Sequence, residues 1–240
     1  MRIILKNIFF SLIRYKRSVS SCFLILACMH SGAQSYNDDA RLWLYLKLDK
    51  DITPKFNAQL IMQNRFDNNI TRYGQLNGNI ELSYKLNKNF KFVAGYVYGK
   101  IRRLEQMSYS NRQQAYGGFT LKGRYRRFTF FYRNLFQWQM VDIYRSKKGM
   151  IPSWCDRNKV TVKYALTKRW EFYIAEEINV RFFRPPYSPY FSRSRSFIGA
   201  QYSLSRRSYL EAYFLFQRKY GSRYMPERAY IYGLTYSYTF

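Results

Sequence analysis

The sequence predicts an all-β fold: an antiparallel up-and-down transmembrane β-barrel of about 10–12 strands that follows a cleaved signal peptide. Three observations carry that expectation. Hydrophobicity alternates with period two from Ala40 onward, the alternating segments are joined by short and long connections in turn, and the chain opens with an export signal. Composition agrees. Of 240 residues, 20% are aromatic and only 6 are Pro, which argues against disorder. No run of about 18 apolar residues occurs, so a bundle of transmembrane helices is excluded.

Residues 1–33 read as the signal peptide. Arg2, Lys6, Arg14, Lys16 and Arg17 form a basic start, and no acid precedes Asp38. Cys22 to Met29 is a short apolar stretch, followed by the small-x-small site Ser31-Gly32-Ala33. Ile25-Leu26-Ala27-Cys28 offers a second route, a lipoprotein box with Cys28 acylated, although Leu26 is unusual at its place there. Cleavage after Ala33 removes Cys22, Cys28 and the single histidine, His30, leaving Cys155 alone and a single domain over 34–240. A lone cysteine forms no intrachain disulfide. The five basic residues leave too, so 36 Lys+Arg remain against 14 acids and the net charge is +22.

The strands follow in order. Near the C-terminus Tyr230, Tyr232, Leu234, Tyr236, Tyr238 and Phe240 share one face, with Ile231, Gly233, Thr235, Ser237 and Thr239 on the other. Leu76 to Leu86 alternates with Gln75 to Lys85, and Trp170 to Val180 with Glu171 to Arg181. Leu210, Ala212, Phe214 and Phe216 alternate with Tyr209, Glu211, Tyr213 and Gln217. Further strands are expected near 41–48, 55–65, 89–102, 113–125, 127–139, 157–166 and 194–204. Short turns fall at 86–89, 125–127, 166–169 and 204–207. Longer loops are expected near 65–74, 103–112, 140–156, 182–193 and 219–228. The segments number eleven, whereas single-chain bacterial barrels have even counts, so ten or twelve strands are expected.

Period two does not distinguish inside from outside. A β-sandwich or a lipocalin-like barrel alternates in the same way with its apolar face inward. The export signal, the Tyr and Phe abundance and the aromatic last strand ending on Phe240 favour the membrane version. Tyr236, Tyr238 and Phe240 resemble the C-terminal signal read by the barrel-assembly machinery.

With strands placed, the chain resembles an outer-membrane β-barrel family known as domain of unknown function 2490. The resemblance rests on Trp43, Gln63-Asn64-Arg65-Phe66, Gly95-Tyr96, Phe131-Tyr132-Arg133-Asn134, Ala175-Glu176-Glu177 and Phe197-Ile198-Gly199. It implies a barrel in the outer membrane of a Gram-negative bacterium and brings no activity or catalytic residues.

The chemistry is sparse. Without histidine the mature chain has no Ser-His or Asp-His site, and one cysteine makes no Cys-His metal site. No nucleotide or calcium motif occurs. The expectation is therefore no enzyme, no cofactor and no metal. Parity sends Glu81, Lys85, Arg133, Lys159, Lys163, Glu177, Arg181, Arg195 and Glu211 inward, as a salt-bridged plug or as a path whose charges set selectivity. Arg and Lys also cluster in the turns and loops: Arg102-Arg103, Arg124-Arg126-Arg127, Arg145-Lys147-Lys148, Arg193-Arg195, Arg206-Arg207 and Arg218-Lys219 with Arg223. For an exported chain the matching phosphates belong to outer-membrane lipids and lipopolysaccharide rather than to nucleic acid. The role expected is a narrow channel or binder for small polar or anionic solutes. The alternatives are a lipid- or lipopolysaccharide-binding structural protein and, more weakly, a lipid-modifying enzyme without a histidine base.

Overall fold

A computed structural model describes residues 37–102, 108–141, 153–182, 190–220 and 227–240. The expected signal peptide, its cleavage site and Cys28 lie outside these residues. So do Arg103, Arg145, Lys147, Lys148 and Arg223.

The alternating segments form eleven strands: β1 (Asn37–Asp51), β2 (Phe56–Asp67), β3 (Arg72–Lys85), β4 (Phe90–Arg102), β5 (Tyr109–Tyr125), β6 (Phe128–Val141), β7 (Ser153–Ala165), β8 (Trp170–Phe182), β9 (Tyr190–Ser203), β10 (Ser208–Lys219) and β11 (Glu227–Thr239). Each pairs antiparallel with its sequence neighbours, and the sheet closes through β1 and β11. The expectation of ten or twelve strands is corrected to eleven. An odd count closes only if its first and last strands run the same way, and β1 pairs with β11 in parallel from Asn37↔Glu227 to Asp49↔Thr239. Closure leaves no strand edge unpaired.

A walk across the register fixes the dimensions. Starting at Asp51, it passes Asn57, Ser83, Val93, Gly118, Leu135, Arg157, Asn179, Arg193, Lys219 and Glu227. It then returns to β1 at Asn37, fourteen residues from its start. That stagger over eleven strands gives a tilt of about 44°, a wall radius of about 11 Å and an axial rise of about 2.4 Å per residue.

Burial assigns the faces. On β3, Asn77, Asn79, Glu81 and Ser83 are buried inside, while Ile80 and Leu82 are 58% and 51% exposed on the outer wall. On β8, Tyr173, Ala175, Glu177 and Asn179 are inside, and Phe172, Ile174 and Ile178 face out. The outer wall is mostly apolar and carries aromatic pairs near both of its ends. Near the short turns stand Phe56–Tyr84, Phe128–Tyr164 and Trp170–Tyr202, with centroids 4.9, 5.0 and 4.8 Å apart. Toward the other end stand Phe136–Trp154, Phe191–Tyr220 and Phe216–Tyr230.

The short turns share a device. In 52–55, 86–89, 166–169 and 204–207 the second residue is Thr53, Asn87, Thr167 or Ser205. Its side-chain oxygen accepts from the backbone N–H groups two and three residues on, as Thr167 does from Arg169 and Trp170 at 3.1 and 3.0 Å. That is the local bond that makes Ser, Thr and Asn turn formers.

The connections at the opposite end are shorter than expected. The loop anticipated at 65–74 is a tight turn between Asp67 and Arg72, with Asn68, Asn69 and Ile70 all at positive φ. It is tied to β1 by Asn69 N–H to Asp39 at 2.9 Å and by Ala40 N–H to the Asn69 side chain at 3.1 Å. β5, β7 and β9 also begin earlier than expected, because residues such as Arg112 and Arg193 are polar through facing the lumen, not through lying in loops.

Three inward glycines accommodate tyrosine rings. Gly95, Gly199 and Gly233 lie directly opposite Tyr116, Tyr173 and Tyr213. A Cβ at Gly199 would come within 2.6 Å of the Tyr173 ring, and one at Gly233 would overlap the Tyr213 ring. The rings lie flat over the bare backbone and narrow the lumen.

Candidate functional site: the charged lumen

Every lumen candidate from the sequence lies on the inner wall, but they do not form one site. Toward the short turns the charges pair off. Arg133 donates to Glu81 at 2.5 Å, and the Tyr116 hydroxyl donates to the same carboxylate at 2.7 Å. Tyr173 donates to Glu211 at 2.6 Å, with Lys47 3.8 Å from Glu211. Lys163 donates to Glu171 at 2.7 Å and to Gln201 at 3.2 Å, near the rim and away from the others. Lys85, also sent inward by parity, sits at the rim beside Asp51 at 3.2 Å, and both are about half exposed.

The middle of the lumen is organised by Glu177. It is 2% exposed and accepts from Arg157 at 2.6 Å and Arg195 at 2.8 Å. Arg195 continues to Gln217 at 2.8 Å. Lys159 sits over the Phe197 ring, 3.9 Å from its centroid.

Above Glu177 the balance changes. Arg65, Arg112, Arg181, Arg193 and Arg195 line one continuous stretch of wall toward the long-connection end. The acids there are Asp67, which binds Arg72, and Asp39 and Glu227, which bind Arg41. Arg65 instead stacks 4.1 Å from the Trp43 centroid and donates to Tyr45 and Gln63. Arg112 donates to Gln114 and Gln139. Neutral partners fix these guanidiniums in place without neutralising them. Among the described residues, the buried Nε atoms of Arg65, Arg112, Arg133, Arg157 and Arg193 donate to nothing.

Space accompanies the charge. Cavities of about 370 and 320 Å³ lie along this arginine wall, and one of about 210 Å³ lies lower, between Glu81 and Glu177. Cys155 lines the 320 Å³ cavity. Among the described residues no three His, Cys, Asp or Glu converge as metal ligands do.

Sequence reasoning named Glu81, Arg133, Lys163, Glu177, Arg181, Arg195 and Glu211. It placed Arg193 with the basic loops and left out Arg65, Arg112 and Arg157. Parity with Lys159 and Lys163 on the same strand would have found Arg157, since that strand was already assigned over 157–166. Arg112 and Arg193 were hidden by strand starts set too late. At the C-terminus, Tyr236 and Phe240 are exposed on the outer wall, and the Phe240 N–H donates to Asp49 at 3.0 Å across the closure. Tyr238 packs on Phe240 with centroids 5.0 Å apart.

A family model described as protein of unknown function (DUF2490) matches residues 40–224. The chain belongs to this family. The match runs from β1 through β10 and carries no statement of activity or membrane. No curated protein matches the chain. Several residues behind the sequence resemblance are lumen parts: Trp43 with Arg65, Arg133 with Glu81, Glu177, and Gly95 and Gly199 beneath their tyrosines.

Proposed function

We propose that the protein is a bacterial outer-membrane barrel that takes small anionic solutes into its lumen from the long-connection end. The observation that carries the solute reading is the wall of Arg65, Arg112, Arg181, Arg193 and Arg195 beside open space, in which Arg65 and Arg112 are fixed by neutral partners and Arg195 is held by Glu177. Guanidiniums held this way bind phosphate, sulfate and carboxylate groups through paired N–H donors.

The membrane reading draws support from the apolar outer wall and the aromatic pairs near both of its ends. Eight to eleven residues of strand separate the pairs on β6, β7 and β9, which at the observed tilt is about 19 to 26 Å of height, a span that includes the apolar band of such barrels. The paired charges and the three tyrosines toward the short turns restrict the path there. The protein is therefore a binder or a narrow, anion-preferring channel rather than a wide pore.

Cys155 supplies the test. In the folded barrel an anionic methanethiosulfonate reagent is expected to modify Cys155 faster than a cationic one of similar size, by about tenfold or more for several uncompensated charges nearby. Arg193→Gln with Arg112→Gln should shrink that preference, and Cys155→Ser should abolish labelling. In planar bilayers the same pair of substitutions should move the reversal potential toward cations. Equal labelling rates by the two reagents would refute the anion reading. A lipopolysaccharide-binding structural role would instead leave lumen variants silent and respond to the basic turns Arg126-Arg127 and Arg206-Arg207.

A further inference from the structure

On the outer wall of β6–β9, in the middle of the apolar band, six outward positions grouped around Ile178 are polar: Asn134, Asp156, Asn158, Glu176, Ser194 and Ser196. Register holds them together, with Asn134 opposite Asn158 and Glu176 opposite Ser196. Asn134 donates to Asp156 at 2.7 Å and to Asn158 at 3.0 Å, and Asn158 donates to Asp156 at 2.6 Å. These residues lie about 13 to 22 Å above the short turns on the axial rise of the barrel. Tyr132, whose hydroxyl donates to Asn158 at 2.6 Å, Val160, Ile174 and Ile198 surround them below, and Phe136, Trp154 and Phe182 above. The patch is therefore an island and not the edge of the band.

We infer that this island is the contact surface for a second copy of the chain, related by a twofold axis along the membrane normal. The inference rests on the membrane reading above. Acyl chains offer no hydrogen bonds, and acidic side chains facing hydrocarbon at mid-depth carry a cost. A twofold along the normal sets equal depths against each other, so the island meets itself. It is complementary to itself there: carboxylates of Asp156 and Glu176 face amides and hydroxyls of Asn134, Asn158, Ser194 and Ser196. The two serines are small enough for the walls to approach closely. Among the described residues the outward Lys and Arg, such as Lys50, Lys100, Arg218 and Arg228, stand at the strand ends, so a differently turned copy brings no basic side chain to this depth. A two-fold contact uses the same patch on both copies.

The test uses the full-length chain in a Gram-negative host, with gel mobility before and after heating as the report of a folded membrane barrel. Extracted in mild detergent, the protein should sediment at twice the mass of one chain. Oxidation in intact membranes should link Ser196→Cys chains to each other but not Met62→Cys chains, whose cysteine sits at similar depth on the opposite wall. Glu176→Leu with Asn158→Val should give monomers that keep the heat-dependent shift. A heat-shifted wild type that sediments as a monomer overturns the inference alone. So does a dimer that Glu176→Leu with Asn158→Val leaves intact, or equal cross-linking at Met62→Cys. A soluble chain with no shift removes the membrane reading and this inference with it.

Discussion

Replacing Glu177 by Gln should be the most destabilising conservative change in the lumen. Glutamine keeps the volume but removes the charge shared by Arg157 and Arg195, and its amide turns a donor toward one of them. Removing one partner of a buried ion pair costs about 3–5 kcal/mol, because the remaining charge stays desolvated. The Arg195 side chain is 9% exposed and meets that condition, whereas Arg157 is 28% exposed and is partly rescued by lumen water. The lower end, about 3 kcal/mol, is therefore expected. Arg157→Gln should cost less, about 1.5 kcal/mol, since Glu177 keeps Arg195. Asp51→Asn at the rim, whose ion pair with Lys85 is about half exposed, should change stability by under about 1 kcal/mol. The assay is denaturant titration of the barrel refolded into phospholipid vesicles, followed by tryptophan fluorescence and gel mobility. If Glu177→Gln and Asp51→Asn unfold at the same midpoint, the middle of the lumen is as wet as the rim and the argument from burial fails. Glu177→Gln should also strengthen anion uptake, since it frees two guanidiniums.

Gly233→Val should destabilise the barrel by about 1–3 kcal/mol through overpacking against the Tyr213 ring. Tyr213→Ala in the same chain should recover part of that loss in the same titration. Gly123→Ala, where an added Cβ meets nothing within 4 Å, should be neutral. Removing Phe240, whose N–H bonds Asp49 across the closure, should reduce the fraction of chain showing a heat-dependent shift; an unchanged fraction would remove it from assembly. Thr167→Val should slow folding or lower stability by about 1 kcal/mol, because two backbone N–H groups in the turn lose their acceptor.

Much of the architecture was legible because a strand's side-chain period is local. The alternation around Glu81, Glu177 and Glu211 assigned their common side, and the Asn and Thr turns marked where strands reverse. The strand segments were counted as eleven from the sequence. The reading failed where polarity has two causes. Arg112 and Arg193 looked like loop residues because a lumen and a loop are both wet, and only their pairing with Gly99 on β4 and Asn179 on β8 separates the two.

Amino-acid order alone determined which residues share a face and where the short turns fall, since both depend on neighbours one to four positions away. Tertiary structure decided the rest. Period two reads the same from either side, so only the burial of Asn77 and the exposure of Ile80 made the polar face the inner one. Closure by a parallel β1–β11 pair joins residues about 190 positions apart, such as Asn37 and Glu227. The meeting of Glu177 with Arg157 and Arg195, and of Arg133 with Glu81, depends on the stagger at which the sheet closes, a global quantity that no local pattern encodes.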